Sequence, residues 1–188
     1  QATSLGLLGN ENFFQLPTTM SKDESYGAGL QIDLSDGQSG VYTFTLDYGV
    51  EELRNGEYSG GRMVTQKAPV GVLNATKSAF GAGWGLAGQF EIFPGDGGVL
   101  LADGTGRMQI FLAPANYGDP FTPLVRDNSV LRQEPDGRFT WTKIDGTVFR
   151  FDHFNKLETI TDRNNNITTF VYEPTSGGSE RLVAIRDF

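Results

Sequence analysis

Between Val41 and Tyr48 the chain alternates. Tyr42, Phe44, Leu46 and Tyr48 fall on one side of an extended strand, and Thr43, Thr45 and Asp47 fall on the other. The same two-residue period returns in Phe139-Thr140-Trp141-Thr142, in Phe149-Arg150-Phe151 and in Phe170-Val171-Tyr172. A helix needs an apolar period sustained over roughly 10–12 residues, and no segment provides one. Only Glu51–Leu53 is expected to form a helical turn. Turn signals separate the strands: Pro135-Asp136-Gly137, Asp145-Gly146, the corner at Asn155, and Asn164-Asn165-Asn166. Gly137, Gly146 and Asn155 fall nine residues apart, and Asn is the residue that best replaces Gly at a left-handed corner. Strands punctuated about every 8–12 residues predict an all-β antiparallel hairpin meander.

The texture changes near Ser78. Residues 1–78 read as a β-rich, sandwich-like lead-in. Within it, 1–25 are expected to be irregular, with Leu5–Leu8 and Phe13-Phe14 either packing across another strand or partly loose, and 26–73 should give three or four strands. Four glycines in Gly81–Gly88 surround Trp84, which predicts backbone folded tightly about one large ring. A continuous series of hairpins follows to the end.

The last forty residues contain one phrase twice. Phe151-Asp152 and Tyr172-Glu173 each open a copy, and each copy closes on Leu-x-x-Ile-x-Asp, at Leu157–Asp162 and Leu182–Asp187. The aromatic recurs after 21 residues and the leucine after 25, so the second copy is four residues longer. Self-similarity of this kind marks stacked repeats that cannot bury their apolar faces alone. Phe149, Phe151, Leu157, Ile160, Phe170, Tyr172, Leu182 and Ile185 are the expected stacking residues.

The wording of residues 79–188 resembles the start of the YD-repeat (Rhs-type) shell found in bacterial Rhs toxins, toxin-complex cocoon proteins and teneurins. The resemblance is carried by an opening motif (Phe80, Gly81, Gly83, Trp84, Leu86, Gly88), by Asp96–Leu101, by Asp145–Asp152 and by Ile160–Tyr172. Asn165 stands where the family has glycine, Glu173 where it has the second residue of a Tyr-Asp pair, and Phe188 where a proline commonly follows. The family's self-cleaving Asp-Pro-x-Gly-Leu phrase is absent. The resemblance implies a non-enzymatic structural module of a larger protein, extracellular or at the cell surface, whose shell encloses a cargo or mediates cell contact. Its partners would be the remainder of the repeat array or an encapsulated polypeptide. Two repeats are too few to close a shell, so the last strand is expected to leave an open edge through which copies could self-associate.

Composition narrows the chemistry. The net charge of −8 is evenly spread, which leaves no basic stripe for nucleic acid. No apolar run approaches the roughly 20 residues that span a bilayer as a helix. With no cysteine and one histidine, thiol chemistry, Cys-based zinc sites and two-imidazole metal sites are excluded. No catalytic residue and no cofactor is assigned. His153 lies in a repeat turn and reads as a turn residue. Asp162, Asn164, Asn166 and Glu173 follow calcium-loop spacing, but Ile167 occupies the place of the bending glycine, so an Asx-rich turn is the simpler reading. Glu51-Glu52 and Asp23-Glu24 are adjacent carboxylates that a strand would point to opposite faces. Trp84 and Trp141 read as core rings. The alternative, rings facing solvent as a sugar-stacking platform, would make the chain a surface adhesin or carbohydrate-binding β-sandwich.

Overall fold

The computed structural model describes residues 3–8, 11–15, 27, 37–59, 61–76, 78–174 and 180–187. The described elements are all strands, all antiparallel. The chain divides into two compact units, Gln1–Ser35 and Asp36–Phe188. In the first, β1 (Thr3–Leu8) and β2 (Glu11–Gln15) form a hairpin with a register shift between Ser4 and Gly6. Leu7 and Leu8 thus lie across from Asn12 and Glu11, in a segment where the sequence predicts irregular chain. Asp23-Glu24 lie outside the described residues.

The second unit contains both sides of the textural change at Ser78. It opens with β3 (Gly40–Gly49), β4 (Glu52–Arg54), β5 (Glu57–Ser59) and β6 (Met63–Val72). β3 pairs with β6, and β4 with β5. The helical turn expected at Glu51–Leu53 is replaced by strand. Asn55 and Gly56 take positive φ values of 53° and 85°, which make the two-residue hairpin turn whose twist matches its strands.

Ten strands follow in order: β7 (Phe90–Gly95), β8 (Gly98–Asp103), β9 (Met108–Leu112), β10 (Thr122–Pro123), β11 (Val130–Gln133), β12 (Phe139–Thr142), β13 (Val148–Phe151), β14 (Leu157–Thr161), β15 (Ile167–Pro174) and β16 (Glu180–Asp187). β7–β10 make one sheet and β11–β16 a second, every strand next to its sequence neighbours. A bridge from Phe121 to Leu131 joins the sheets in chain order, and a second from Glu91 to Lys156 brings β7 back against the turn between β13 and β14. The meander is therefore rolled on itself.

The roll encloses the core. Ile92, Val99, Leu101 and Phe111 from the first sheet meet Leu131, Phe139, Trp141, Phe149, Phe151, Leu157 and Phe170 from the second. Phe90 packs edge-on against Trp141 and Phe149, at centroid distances of 5.3 and 5.2 Å. β8 is an unbroken apolar run, Val99-Leu100-Leu101-Ala102, because both its faces are covered. Val99 and Leu101 face the core, while Gly71 of β6 backs onto Leu100 from the other side. Further along, the β3–β6 ribbon gains little cover: Tyr42, Leu46 and Tyr48 remain exposed.

Truncating Phe151, which is fully buried, to alanine should cost about 3–5 kcal/mol in chemical denaturation. Ile185→Ala at the sheet edge should cost less than about 1.5 kcal/mol, because that side chain is 49% exposed.

Candidate functional site: hairpin corners and the open sheet edge

Five hairpin corners share one hydrogen-bond pattern. At Asp103–Arg107, Glu134–Arg138, Lys143–Thr147, Asp152–Lys156 and Asp162–Asn166, the first residue's N–H donates to the fifth residue's carbonyl at 2.8–3.0 Å. The fourth residue's N–H donates back to the first carbonyl at 2.9–3.1 Å. The fourth residue is Gly106, Gly137, Gly146, Asn155 or Asn165, each at positive φ. This is a type I turn closed by a left-handed residue, the three-residue hairpin loop. Asn165 therefore keeps the geometry of the glycine corners, with φ 65°.

Aspartate fixes each corner in one of two ways. As first residue, Asp103, Asp152 and Asp162 each accept backbone N–H bonds through Oδ1 from the third and fifth residues; for Asp162 the donors are Asn164 at 2.7 Å and Asn166 at 2.9 Å. As third residue, Asp136 and Asp145 accept from the N–H two positions on, at 3.1 and 2.9 Å. Hydrogen bonds from Asn166, side chain then backbone, hold the Asp162 carboxyl below its ordinary range, and those from Arg138 and Thr147 do the same for Asp136 and Asp145. Burial pushes Asp103 upward, but bonds from Thr105 and Arg107 outweigh it and the net shift is downward.

This arrangement consumes the calcium-loop candidate. Asp162 Oδ1 is taken by two backbone donors, and Asn166 Nδ2 donates to Oδ2 at 2.8 Å. Glu173 sits seven residues beyond Asn166 along β15, roughly 23 Å away at the rise of an extended strand. No group of three or more potential metal-binding His, Asp or Glu side chains occurs among the described residues. His153 is an exposed residue of the fourth corner, and Glu51 is likewise exposed.

The two copies of the repeat share their cross-strand pairing as well as their wording. Phe151 lies opposite Leu157 and Phe149 opposite Ile160, and in the second copy Tyr172 lies opposite Leu182 and Phe170 opposite Ile185. In each copy one residue of the Leu-x-x-Ile strand has no partner, Glu158 in β14 and Val183 in β16. These are β-bulges, and they put residues three apart on the same face. The first copy is buried at Phe149, Phe151 and Leu157. The second fades outward through Phe170 to the exposed Ile185, since among the described residues β16 has a neighbour on one side only.

A polar cluster fastens β7 to the second sheet. Ile92 N–H donates to the Asn155 carbonyl at 2.9 Å, beside the Glu91–Lys156 bridge. Lys156 Nζ donates to the Glu180 carbonyl at 2.9 Å, lies 4.0 Å from Glu180 Oε2, and sits 5.4 Å from the centre of the Tyr172 ring. The Tyr172 hydroxyl donates to Leu157 O at 3.0 Å and accepts from Gln89 Nε2 at 3.2 Å. Burial pushes Tyr172 up to about 12, against the pull of the Gln89 bond and with nearby carboxylates adding to the rise. The phenol therefore stays a hydrogen-bond donor throughout the neutral range. Burial also raises Glu91, against the opposing charge of Lys156.

The opening motif behaves differently from its expectation. Trp141 is a core ring, but Trp84 is 75% exposed. Of the surrounding glycines, Gly81, Gly83 and Gly88 take positive φ values of 103°, 79° and 83° at turns, and Gly85 makes a close backbone contact. A Cβ at Gly85 would lie 2.3 Å from Gly104 O, and one at Gly104 would lie 2.0 Å from Leu86 O, so two chain segments cross with no room for side chains. Phe80 and Leu86 are likewise exposed. Sequence reasoning also missed Lys143, whose Nζ lies 4.6–5.5 Å from the ring centres of Phe149, Trp141 and Phe90. Another exposed aromatic, Tyr117, borders an open cleft of about 200 Å³ together with Asn116, Asp119 and Gln133. Neither a family model, nor a curated protein, nor a solved structure matches this chain.

Asn155→Val should destabilise the chain by about 1–2 kcal/mol, since a β-branched side chain resists φ 64°, while Asn155→Gly should be tolerated. Because Asp103, Asp136, Asp145 and Asp162 titrate lower in the folded state, their contribution is complete above the ordinary carboxylate value near 3.8. It is lost as pH falls through the lowered values. Denaturation midpoints should accordingly drop below about pH 4, and replacing Asp162 and Asp145 with asparagine should flatten that drop.

Proposed function

We propose that the chain is a non-enzymatic structural module of a YD-repeat protein, forming the first turns of a β-shell that encloses a polypeptide cargo or mediates contact outside the cell. The observation that carries this reading is the pair of repeats with matching bulges, matching cross-strand partners and an exposure gradient that ends at a half-exposed Ile185. An exposed apolar residue whose counterpart Ile160 is shielded is what a stacking unit looks like before its next neighbour is added. The rolled meander supports the same reading, because an array that grows by hairpins and curves back on its first strand tends toward enclosure. Polar side chains in the seam at Lys156 hold strands together, consistent with architecture as their role.

A second reading, glycan recognition by a surface module, is favoured by the exposed Trp84 and by Tyr117 beside its cleft. Glycan-array binding that disappears in Trp84→Ala or Tyr117→Ala, with folding intact, would support it over the first.

The array reading is tested by lengthening the chain after Phe188 with one further copy of residues 149–171. The expected result is a higher denaturation midpoint and strong protection of the β16 amides. An added copy that stays unfolded and leaves the midpoint unchanged would contradict the reading.

A further inference from the structure

We infer that the edge of β16 left unpaired among the described residues selects its occupant by charge: it rejects a second copy of this chain and accepts an antiparallel strand whose outward-facing residues opposite its arginines are acidic. Leu182 and Ile185 point inward, as the partners of Tyr172 and Phe170, while Arg181 and Arg186 lie opposite Glu173 and Thr169 on the outer face. Glu180 and Asp187 close the two ends on the inner side, where Thr168 Oγ1 donates to Asp187 Oδ1 at 2.7 Å.

Two identical edge strands pair antiparallel about a two-fold axis normal to the sheet, which keeps inner faces together. The unpartnered Val183 shifts the alternation by one residue, so Leu182 must lie opposite Ile185 of the second copy. In this full-length register Arg181 faces Arg186 of the second copy, and Glu180 faces its Asp187. The two-fold repeats both contacts, so every charged residue of the strand meets its own sign. Like charges directly opposite destabilise strand pairing, and charge on an edge strand is a known barrier to unwanted pairing. Without the bulge, the alternation would instead match Glu180 with Arg186.

The edge is nevertheless incomplete. Ile185 is half exposed, and Glu180 Oε2 is buried with no hydrogen-bond partner. The fitting occupant is a strand from a different segment, with a donor side chain opposite Glu180, apolar residues opposite Leu182 and Ile185, and acidic residues opposite Arg181 and Arg186. This inference concerns the edge named in the proposed function, yet it stands apart from the array: a lengthened chain could stack even if the charge rule failed.

Sedimentation of the whole chain at low salt over a wide concentration range tests the rejection. The wild type should remain monomeric. Arg186→Glu, whose neighbour on β15 is the uncharged Thr169, should dimerise with an association constant at least about tenfold higher than wild type. Adding Arg181→Glu to it should restore the monomer, since like charges then oppose again. Acceptance is tested with a synthetic peptide of residues 166–174. By equivalence with the β14–β15 pairing, position 167 of an added strand falls opposite Arg186. The peptide carrying Ile167→Glu should bind about two- to fivefold more tightly than the unaltered one, and that preference should vanish on the Arg186→Glu protein. A dimeric wild type, a monomeric Arg186→Glu whose circular dichroism is unchanged, or equal binding of the two peptides would overturn the inference.

Discussion

A bulge in each of β14 and β16 keeps the aliphatic residues of Leu-x-x-Ile on the inner face of the sheet. Strict alternation would send one of each pair to solvent, and the aromatics of β13 and β15 would lose half their cover. With the bulges, Phe149 and Phe151 stand over Ile160 and Leu157, and Phe170 and Tyr172 stand over Ile185 and Leu182. Cross-strand contacts of this type are the unit of sheet stability. The core, the roll of the meander and the character of its last edge all follow from that register.

The corners make the register repeatable. A left-handed fourth residue and an aspartate bound to backbone N–H groups give the same reversal at five places, whatever the strands carry. Because the corner is satisfied by its own side chain, its polar groups do not need a ligand, which is why Asp162, Asn164 and Asn166 resemble a calcium loop while working as a turn. Lys156 then links the fourth corner to β16, and Asn155 links it to β7. One five-residue turn thus helps hold together β7 of the first sheet and β13, β14 and β16 of the second.

Much of the sheet was legible in the sequence. Alternation and the nine-residue corner spacing located β12 to β16, and the residues the twin phrases single out are paired across β13–β14 and β15–β16, with only Ile185 left substantially exposed. Legibility ended where position depends on distant chain. Trp84 carries the same signal as a core tryptophan, but the adjoining Gly85 is used for a backbone crossing at Gly104, a contact between segments some twenty residues apart. Asn55-Gly56 was a readable turn overlooked in favour of Glu51–Leu53. The spacing of three in Leu-x-x-Ile, set in strands whose period is two, was itself the signal of a bulge. The Lys143 contact with three rings and the seam at Tyr172 arise from the rolling of the meander, which local pattern does not encode.

Residue-resolved hydrogen exchange under native conditions tests this account most directly. If each hairpin is stabilised by the one stacked beyond it, the amides of β13 and β14 should exchange only through global unfolding, and protection should fall stepwise through β15 to β16. Protection of β16 equal to that of β13, or loss of protection in β13 and β14 while β16 holds, would contradict it.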